Sequence, residues 1–210
     1  MERYNLKKKS IMTNVKQYSD RQLLERVEAI GGVIPNRGKY LIIGVQSQED
    51  APNLFDDKFY VFDGHKFRIV SSGTTNTGKS GLLHFENYNP KGVAVWKTDQ
   101  WCPDLYKRGY HRPSRRGGGM RALRQQKPIF YYRDDNHNLK AEEIGELHKG
   151  IIWTNMHGIS YNPFSTKVKD LINGWSLGCQ VWNRMGDYRQ MVNAVWKRNK
   201  HVDYALLKEW

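Results

Sequence analysis

Phe59-Tyr60-Val61-Phe62-Asp63-Gly64-His65-Lys66-Phe67-Arg68-Ile69-Val70 reads as two strands joined by a tight turn. β-branched and aromatic residues fill both arms. Asp63-Gly64 supplies the small polar residue and the glycine that a two-residue hairpin loop favours, because such loops need positive φ. The pattern predicts strands over 59–62 and 65–70. Runs of the same character lie at 40–45, 93–96, 129–133 and 151–155, several of them bounded by Gly, Pro, Asn or Asp. Together they predict a mainly β core, an antiparallel sheet or sandwich, with flanking helices.

Two segments carry helical spacing instead. Ser19-Asp20 can cap a helix over 19–30, whose apolar residues recur at helical intervals and which stops at Gly31-Gly32. Beyond residue 184, Met185, Tyr188, Met191, Val192, Val195 and Trp196 repeat with the period of a core-facing helix. The chain divides into a basic N-terminal extension (1–18), a helix and first strand packed on or part of the core (19–57), and the main domain (58–210). A chain of 210 residues is long enough to bury a substantial core.

Gly73-Thr74-Thr75-Asn76-Thr77-Gly78-Lys79-Ser80 matches the phosphate-binding P-loop pattern letter for letter. That loop works only where a helix begins at the Lys-Ser pair and offers its amides to phosphate. The following Gly81-Leu82-Leu83-His84-Phe85-Glu86-Asn87-Tyr88-Asn89-Pro90 is too short and too rich in turn formers for such a helix. The glycines are therefore expected to serve a turn between two strands.

The chemistry-bearing stretch is Trp175-Ser176-Leu177-Gly178-Cys179-Gln180-Val181, preceded by His157-Gly158 at the end of an apolar run. A thiol attacks as thiolate, so a catalytic cysteine needs a base in reach and donors for the oxyanion that its attack creates. His157 is the candidate base and Ser176 the candidate support for its ring. The amides of Gly178 and Cys179 are the candidate oxyanion donors. A cysteine beside Val181 and Trp182 also suits a core. Cys102, before Pro103, has no comparable setting and reads as structural, and two cysteines in unlike surroundings do not make a disulfide framework.

His157-Gly158 followed by Ser176-x-Gly178-Cys179 resembles the active-site signature of the L,D-transpeptidase (YkuD-like) cysteine enzymes. The Trp-Ser-x-Gly-Cys-Gln-Val string is closest to phage and bacterial cell-wall variants. Gly73-Thr74-Thr75 with Gly78, Gly109-Tyr110-His111, Ala122-Leu123, Gln125-Gln126 and the run 129–134 fit the same comparison, which spans roughly 58–196. The chain departs from the commonest form at Leu177, where His is usual, and at Gln180-Val181, where Asn or Arg is usual shortly after the cysteine. The resemblance implies an L,D-transpeptidase-like β fold with a cysteine peptidase or acyltransferase activity on bacterial peptidoglycan stem peptides. It implies Cys179 as nucleophile, His157 as base, Ser176 and Gly178 in support, and no cofactor. Tyr110, His111, Arg112 and Trp175 are the expected substrate contacts. For the phage-like variant, hydrolysis in lysis or wall penetration is expected above crosslinking.

The formal charge of +13 calls for a polyanion. Anionic wall polymers and carboxylated stem peptides would be drawn to a basic surface. Nucleic acid is the rival partner, since basic residues interleave with aromatics and glycines over 107–121; a noncatalytic basic protein is then the alternative function. No run of about 18 apolar residues offers a membrane span. The charged start has no apolar segment behind it, so no signal peptide is read there, and the expected location is a host cytoplasm before release to the wall, or a virion. The seven histidines show no close pair at helical ligand spacing and no second cysteine lies near Cys179, so no metal site is expected.

Overall fold

A computed structural model describes residues 15–112, 118–198 and 201–210. The expected N-terminal helix forms as α1 (Asp20–Ala29), with Ser19 as its N-cap: the Ser19 hydroxyl accepts the Gln22 N–H, and the Gln22 side chain accepts the Ser19 N–H. This reciprocal capping satisfies two of the donors a helix start leaves open. Leu23, Leu24 and Val27 form its buried face.

The hairpin forms, but its loop is Gly64-His65, one residue later than the Asp63-Gly64 turn expected, because Asp63 stays in the ladder opposite Lys66. β2 (Asp57–Asp63) and β3 (Lys66–Thr74) pair antiparallel, with Asp63 opposite Lys66 across a Gly64-His65 loop in which Gly64 has φ +59°. β1 (Tyr40–Gln46), β4 (Val93–Trp96) and β7 (Ile129–Asp134) lie where the sequence puts them. The remaining strands are β5 (Gln100–His111), β6 (Met120–Gln125), β8 (His148–Gly150), β9 (Met156–Gly158), β10 (Gln180–Trp182) and β11 (His201–Lys208).

Eight of these close into a barrel in the order β1-β11-β5-β6-β9-β10-β3-β2, and β4, β7 and β8 make a separate three-stranded sheet. The fold is mainly β with flanking helices, as expected, but the main sheet is a closed barrel instead of an antiparallel sandwich. Two of its pairings are parallel, β1 with β11 and β9 with β10. Closure removes the sheet edges that would otherwise need covering.

Strand β1 shows why the barrel is stable: all seven of its residues are buried. Ile42 belongs to one apolar cluster with Phe59, Val61, Val202, Tyr204 and Leu206, residues that meet across the barrel interior. Leu41, Ile43 and Val45 belong to a second, with Tyr60, Phe62 and the buried face of α1. A strand alternates its side chains between two faces, so covering both demands a continuous apolar run. Each fully buried large aliphatic side chain contributes roughly 1.5–3 kcal/mol. The helix expected after Cys179 forms as α3 (Met185–Arg198) and extends the interior cluster with Met185, Tyr188, Met191, Val192 and Val195.

Residues 1–14 of the basic extension lie outside the described residues. Its end is tied to the C-terminus, where the Tyr18 and Trp210 rings stack at 3.9 Å and Lys16 N–H donates to Glu209 Oε1 at 2.6 Å. β1 is integral to the barrel, so 19–57 is part of the main body.

Two local expectations change. Residues 151–155 are not a strand: Trp153 has φ +61°, and the Gln125 Oε1 atom accepts the Ile152 and Thr154 N–H groups, each at 3.1 Å. A side chain replaces the ladder there, and pairing resumes only at β9. The P-loop-like segment is not a turn between two strands either, because a short helix, α2 (Lys79–Leu83), starts at Lys79. Its amides are nevertheless taken: Gly78 N–H by the Ser176 carbonyl, Lys79 N–H by Asn53 Oδ1, Ser80 N–H by the Asn173 carbonyl and Thr75 N–H by Asp57. No phosphate cradle is left, so the nucleotide reading fails on hydrogen bonding. Among the described residues no helix is long and apolar enough to cross a membrane.

Candidate active site

β5, β6, β9 and β10 are successive barrel neighbours, and the candidate residues lie on or beside them. His157 is the central residue of β9, Cys179 immediately precedes β10, and His111 ends β5. The parallel register sets Gln180 opposite Met156 and Val181 opposite His157, which brings the residue before β10 up to the residue before β9. Cys179 therefore meets Asn155. One ring nitrogen of His111, one of His157 and the Cys179 Sγ all lie within 4.8 Å of one another.

The tautomer of His157 follows from its partner. Nδ1 lies 2.8 Å from the Gly158 carbonyl oxygen, which can only accept, so Nδ1 carries the proton and Nε2 keeps its lone pair. Nε2 is buried and has no hydrogen-bond partner among the described residues. A residue 1% exposed with an open lone pair beside a thiol is arranged as a proton acceptor. The His111 ring stacks on His157 with centroids 4.1 Å apart and planes 24° apart.

Electrostatics fix the resting protonation. Burial pushes the Cys179 thiol up to about 11, opposed by the Asn155 backbone N–H directed at the sulfur. Burial, with His111 beside it, pulls His157 down to about 3, and burial with nearby Arg112 pulls His111 down to about 4. The resting pair is a neutral thiol and a neutral imidazole, so the thiolate that attack requires is not present at rest. Desolvation disfavours both charged forms, so proton transfer must accompany attack.

Ser176, expected to hold the imidazole, does not touch it. Its hydroxyl donates to the Cys179 carbonyl at 2.8 Å and accepts the Gly178 N–H at 3.1 Å. The Gly158 carbonyl has taken the orienting role. The Gly178 amide is thereby withdrawn from the expected oxyanion pair, which leaves the Cys179 amide. Gly178 keeps a structural function, since it sits at φ +103° and its carbonyl accepts the Trp96 indole N–H at 2.9 Å. Gln180 gives the thiol no polar neighbour. Its side chain donates to the Thr75 carbonyl at 3.3 Å and accepts the Tyr204 hydroxyl at 2.6 Å, inside the barrel.

A cleft of about 230 Å³ reaches the His157 ring and is lined by His111, Arg112, Tyr161, Asn173, Gly174 and Trp175. Three of the four expected substrate contacts are thus on it. Tyr110 is not: it alternates away on β5, meets Trp196 edge-on at 5.6 Å, and lines a second cleft of about 280 Å³ with Arg121, Phe164, Tyr188 and Arg189. Tyr161 lines both clefts. The basic stretch over 113–117 lies outside the described residues. Cys102 is buried in the core cluster, its thiol pushed up to about 12 by burial, as a structural cysteine should be.

Asn155 is the site residue that local sequence reading missed. Its N–H faces Cys179, its carbonyl accepts the Gln180 N–H at 3.0 Å, its Oδ1 accepts the Gln125 N–H at 3.1 Å, and its Nδ2 lies 3.3 Å from His111 Nδ1. No motif marks it, because its role depends on strand register. The arrangement of a buried thiol, an oriented base and an adjoining cleft suits nucleophilic acyl transfer, and the same three donor atoms are of types that bind metal. No family model, curated protein or solved structure matches the chain.

Proposed function

We propose that this protein is a cysteine-dependent, L,D-transpeptidase-like enzyme that acts on the stem peptides of bacterial peptidoglycan. The observation that carries the chemistry is the open Nε2 lone pair of His157, fixed by the Gly158 carbonyl and set beside Cys179. The substrate class rests on the resemblance of the His157-Gly158 and Ser176-to-Val181 segments, supported by the excess positive charge and by Arg112 on the cleft.

In the reaction, Cys179 Sγ attacks a peptide carbonyl carbon while His157 Nε2 takes the thiol proton. The carbonyl oxygen becomes an oxyanion, for which the Cys179 N–H is the available donor of the expected pair. As the carbon–nitrogen bond breaks, His157 returns the proton to the leaving amine and a thioester remains on Cys179. Water attacking the thioester gives hydrolysis; an amine gives a crosslink. The phage-type form of the cysteine motif favours hydrolysis, in lysis or wall penetration.

Incubation with purified sacculi followed by mass spectrometry of muropeptides tests this reading. The parent is expected to produce cleaved or exchanged stem peptides, and Cys179→Ala none above background. Equal products from both proteins would overturn it. Salt-sensitive retention on DNA without wall binding would then favour the noncatalytic basic protein.

A further inference from the structure

His111, His157 and Cys179 come from three separate segments, 46 and 22 residues apart by their numbers, yet present two imidazoles and a thiol within 4.8 Å. Imidazole nitrogen and thiolate sulfur are the ligands that borderline-soft divalent ions such as Zn²⁺ prefer. A tetrahedral zinc holds nitrogen at about 2.0–2.1 Å and sulfur at about 2.3 Å, which puts neighbouring ligand atoms roughly 3.3–3.6 Å apart. With all three atoms within 4.8 Å, the triangle exceeds those spacings by at most about 1.2–1.5 Å, so binding requires the His111 ring to move in toward the other two.

A second observation points to a ligand. His157 Nε2 is fully buried and has no partner among the described residues. Its ring is already fixed as metal-bound histidines usually are, with the opposite N–H given to a backbone carbonyl, here Gly158 at 2.8 Å. His111 is the adaptable member. It is only partly buried, its contact to Asn155 Nδ2 is long at 3.3 Å, and its ring must tilt out of the stack on His157 to aim a lone pair at a shared ion. The cleft it lines reaches both imidazoles, the side from which an ion would enter, while Cys179 lies behind them and is not on its lining.

We propose that His111, His157 and Cys179 form a three-ligand site for Zn²⁺ or a similar borderline-soft divalent ion, with a fourth position open to the cleft, and that occupancy switches the thiol chemistry off. The switch rests on the proposed function; the site does not. On binding, the Cys179 thiol releases its proton to solvent as the metal–sulfur bond forms, and His157 Nε2 donates its lone pair to the ion. Both electron pairs that acyl transfer requires are then occupied, and removal of the ion restores them.

Cobalt(II) titration of the full-length, chelator-stripped protein tests the site, since thiolate bound to cobalt gives a near-ultraviolet charge-transfer band. We expect that band at one equivalent, its loss on adding Zn²⁺, its absence in Cys179→Ser, and binding weakened at least about tenfold in His111→Ala. Circular dichroism of each variant separates lost binding from lost folding, and Cys102→Ser, which leaves the three ligands in place, should retain the band. No band in the parent, or a band that persists in folded Cys179→Ser, overturns the site. Muropeptide release read in parallel tests the switch: stripped protein active and zinc-loaded protein silent supports it, whereas activity only with zinc overturns it. Absence of activity in both forms, with the band present, sinks the acyl-transfer reading and the switch while the site stands.

Discussion

Ser176 holds Cys179 and leaves His157 to its own neighbour: the serine hydroxyl donates to the Cys179 carbonyl at 2.8 Å and takes the Gly178 N–H at 3.1 Å. Ser176→Ala should thus disturb the nucleophile and spare the base. Two buried backbone groups lose their partner, at a cost of about 1–3 kcal/mol each. In a chain of this size each kcal/mol lowers the melting temperature by roughly 2–4 °C. We expect that drop together with slower muropeptide release and an unchanged acid limb of the pH–rate profile. A shifted acid limb would mean that Ser176 acts on the imidazole after all.

Cys179 in the free protein should label slowly with a thiol-directed reagent at neutral pH. Its thiol is held up to about 11 by burial, so the reactive thiolate is scarce until the solution approaches that value. The labelling rate is expected to climb steadily from about pH 7 upward without a plateau near 8.5, where an unperturbed cysteine levels off. Mass spectrometry distinguishes Cys179 from Cys102, which is also buried and pushed up to about 12. A plateau below neutrality would reveal a standing thiolate–imidazolium pair and overturn the neutral resting state.

Folding stability carries a matching signature of His157. Its folded value is pulled down to about 3, below the roughly 6.5 of an unfolded histidine. Between those values the unfolded chain binds the proton and the folded chain does not, so the residue's contribution weakens as pH falls through that window. Denaturant midpoints of the parent and His157→Gln should be compared at each pH, because raised carboxylates such as Asp57 act in the opposite direction in both proteins. The parent should lose ground to the variant as pH drops from about 6.5 toward 3. A constant difference would show that the imidazole titrates alike in both states.

Gly178→Ala tests the backbone beneath the nucleophile. Gly178 has φ +103°, and an added Cβ would stand 2.9 Å from the Ala94 carbonyl oxygen. Left-handed strain at such a position costs about 1–3 kcal/mol, and the clash adds to it. Thermal melting should fall by several degrees, and the Trp96 indole bond to the Gly178 carbonyl should loosen, visible as a change in tryptophan fluorescence. An unaltered melt would mean that the turn relaxes freely.

These residues show what the sequence could and could not disclose. Strands such as β2 and β3 were legible because runs of β-branched and aromatic residues flanking a glycine turn are local signals. β5 was not, because Pro103 and Asp104 interrupt it. They sit in a bulge where Cys102 pairs with Tyr204 and Tyr106 with Val202, so the missing proline N–H breaks no ladder bond. Closure into a barrel was hidden for a related reason: the parallel pairing of β1 with β11 joins residues more than 160 positions apart. His157 and Cys179 stood out by their glycine neighbours, whereas the approach of His111 and Asn155 depends on the β5-β6-β9-β10 order.

Asn155 offers the sharpest separation of roles, because its backbone and side chain serve different partners. The backbone N–H faces the Cys179 sulfur and the carbonyl takes the Gln180 N–H, contacts that survive truncation of the side chain. The side chain accepts the Gln125 N–H at 3.1 Å and sets Nδ2 3.3 Å from His111. Asn155→Ala should therefore leave Cys179 labelling within about twofold of the parent while muropeptide release falls as much as about 100-fold, the scale on which misplacing an active-site group by an ångström acts. Asn155→Asp should keep the bond to Gln125 but present only acceptors to His111, and so recover stability without full turnover. If labelling and turnover fall together in Asn155→Ala, the side chain supports the thiol itself. If neither changes, the contact between the Asn155 side chain and His111 takes no part in the reaction.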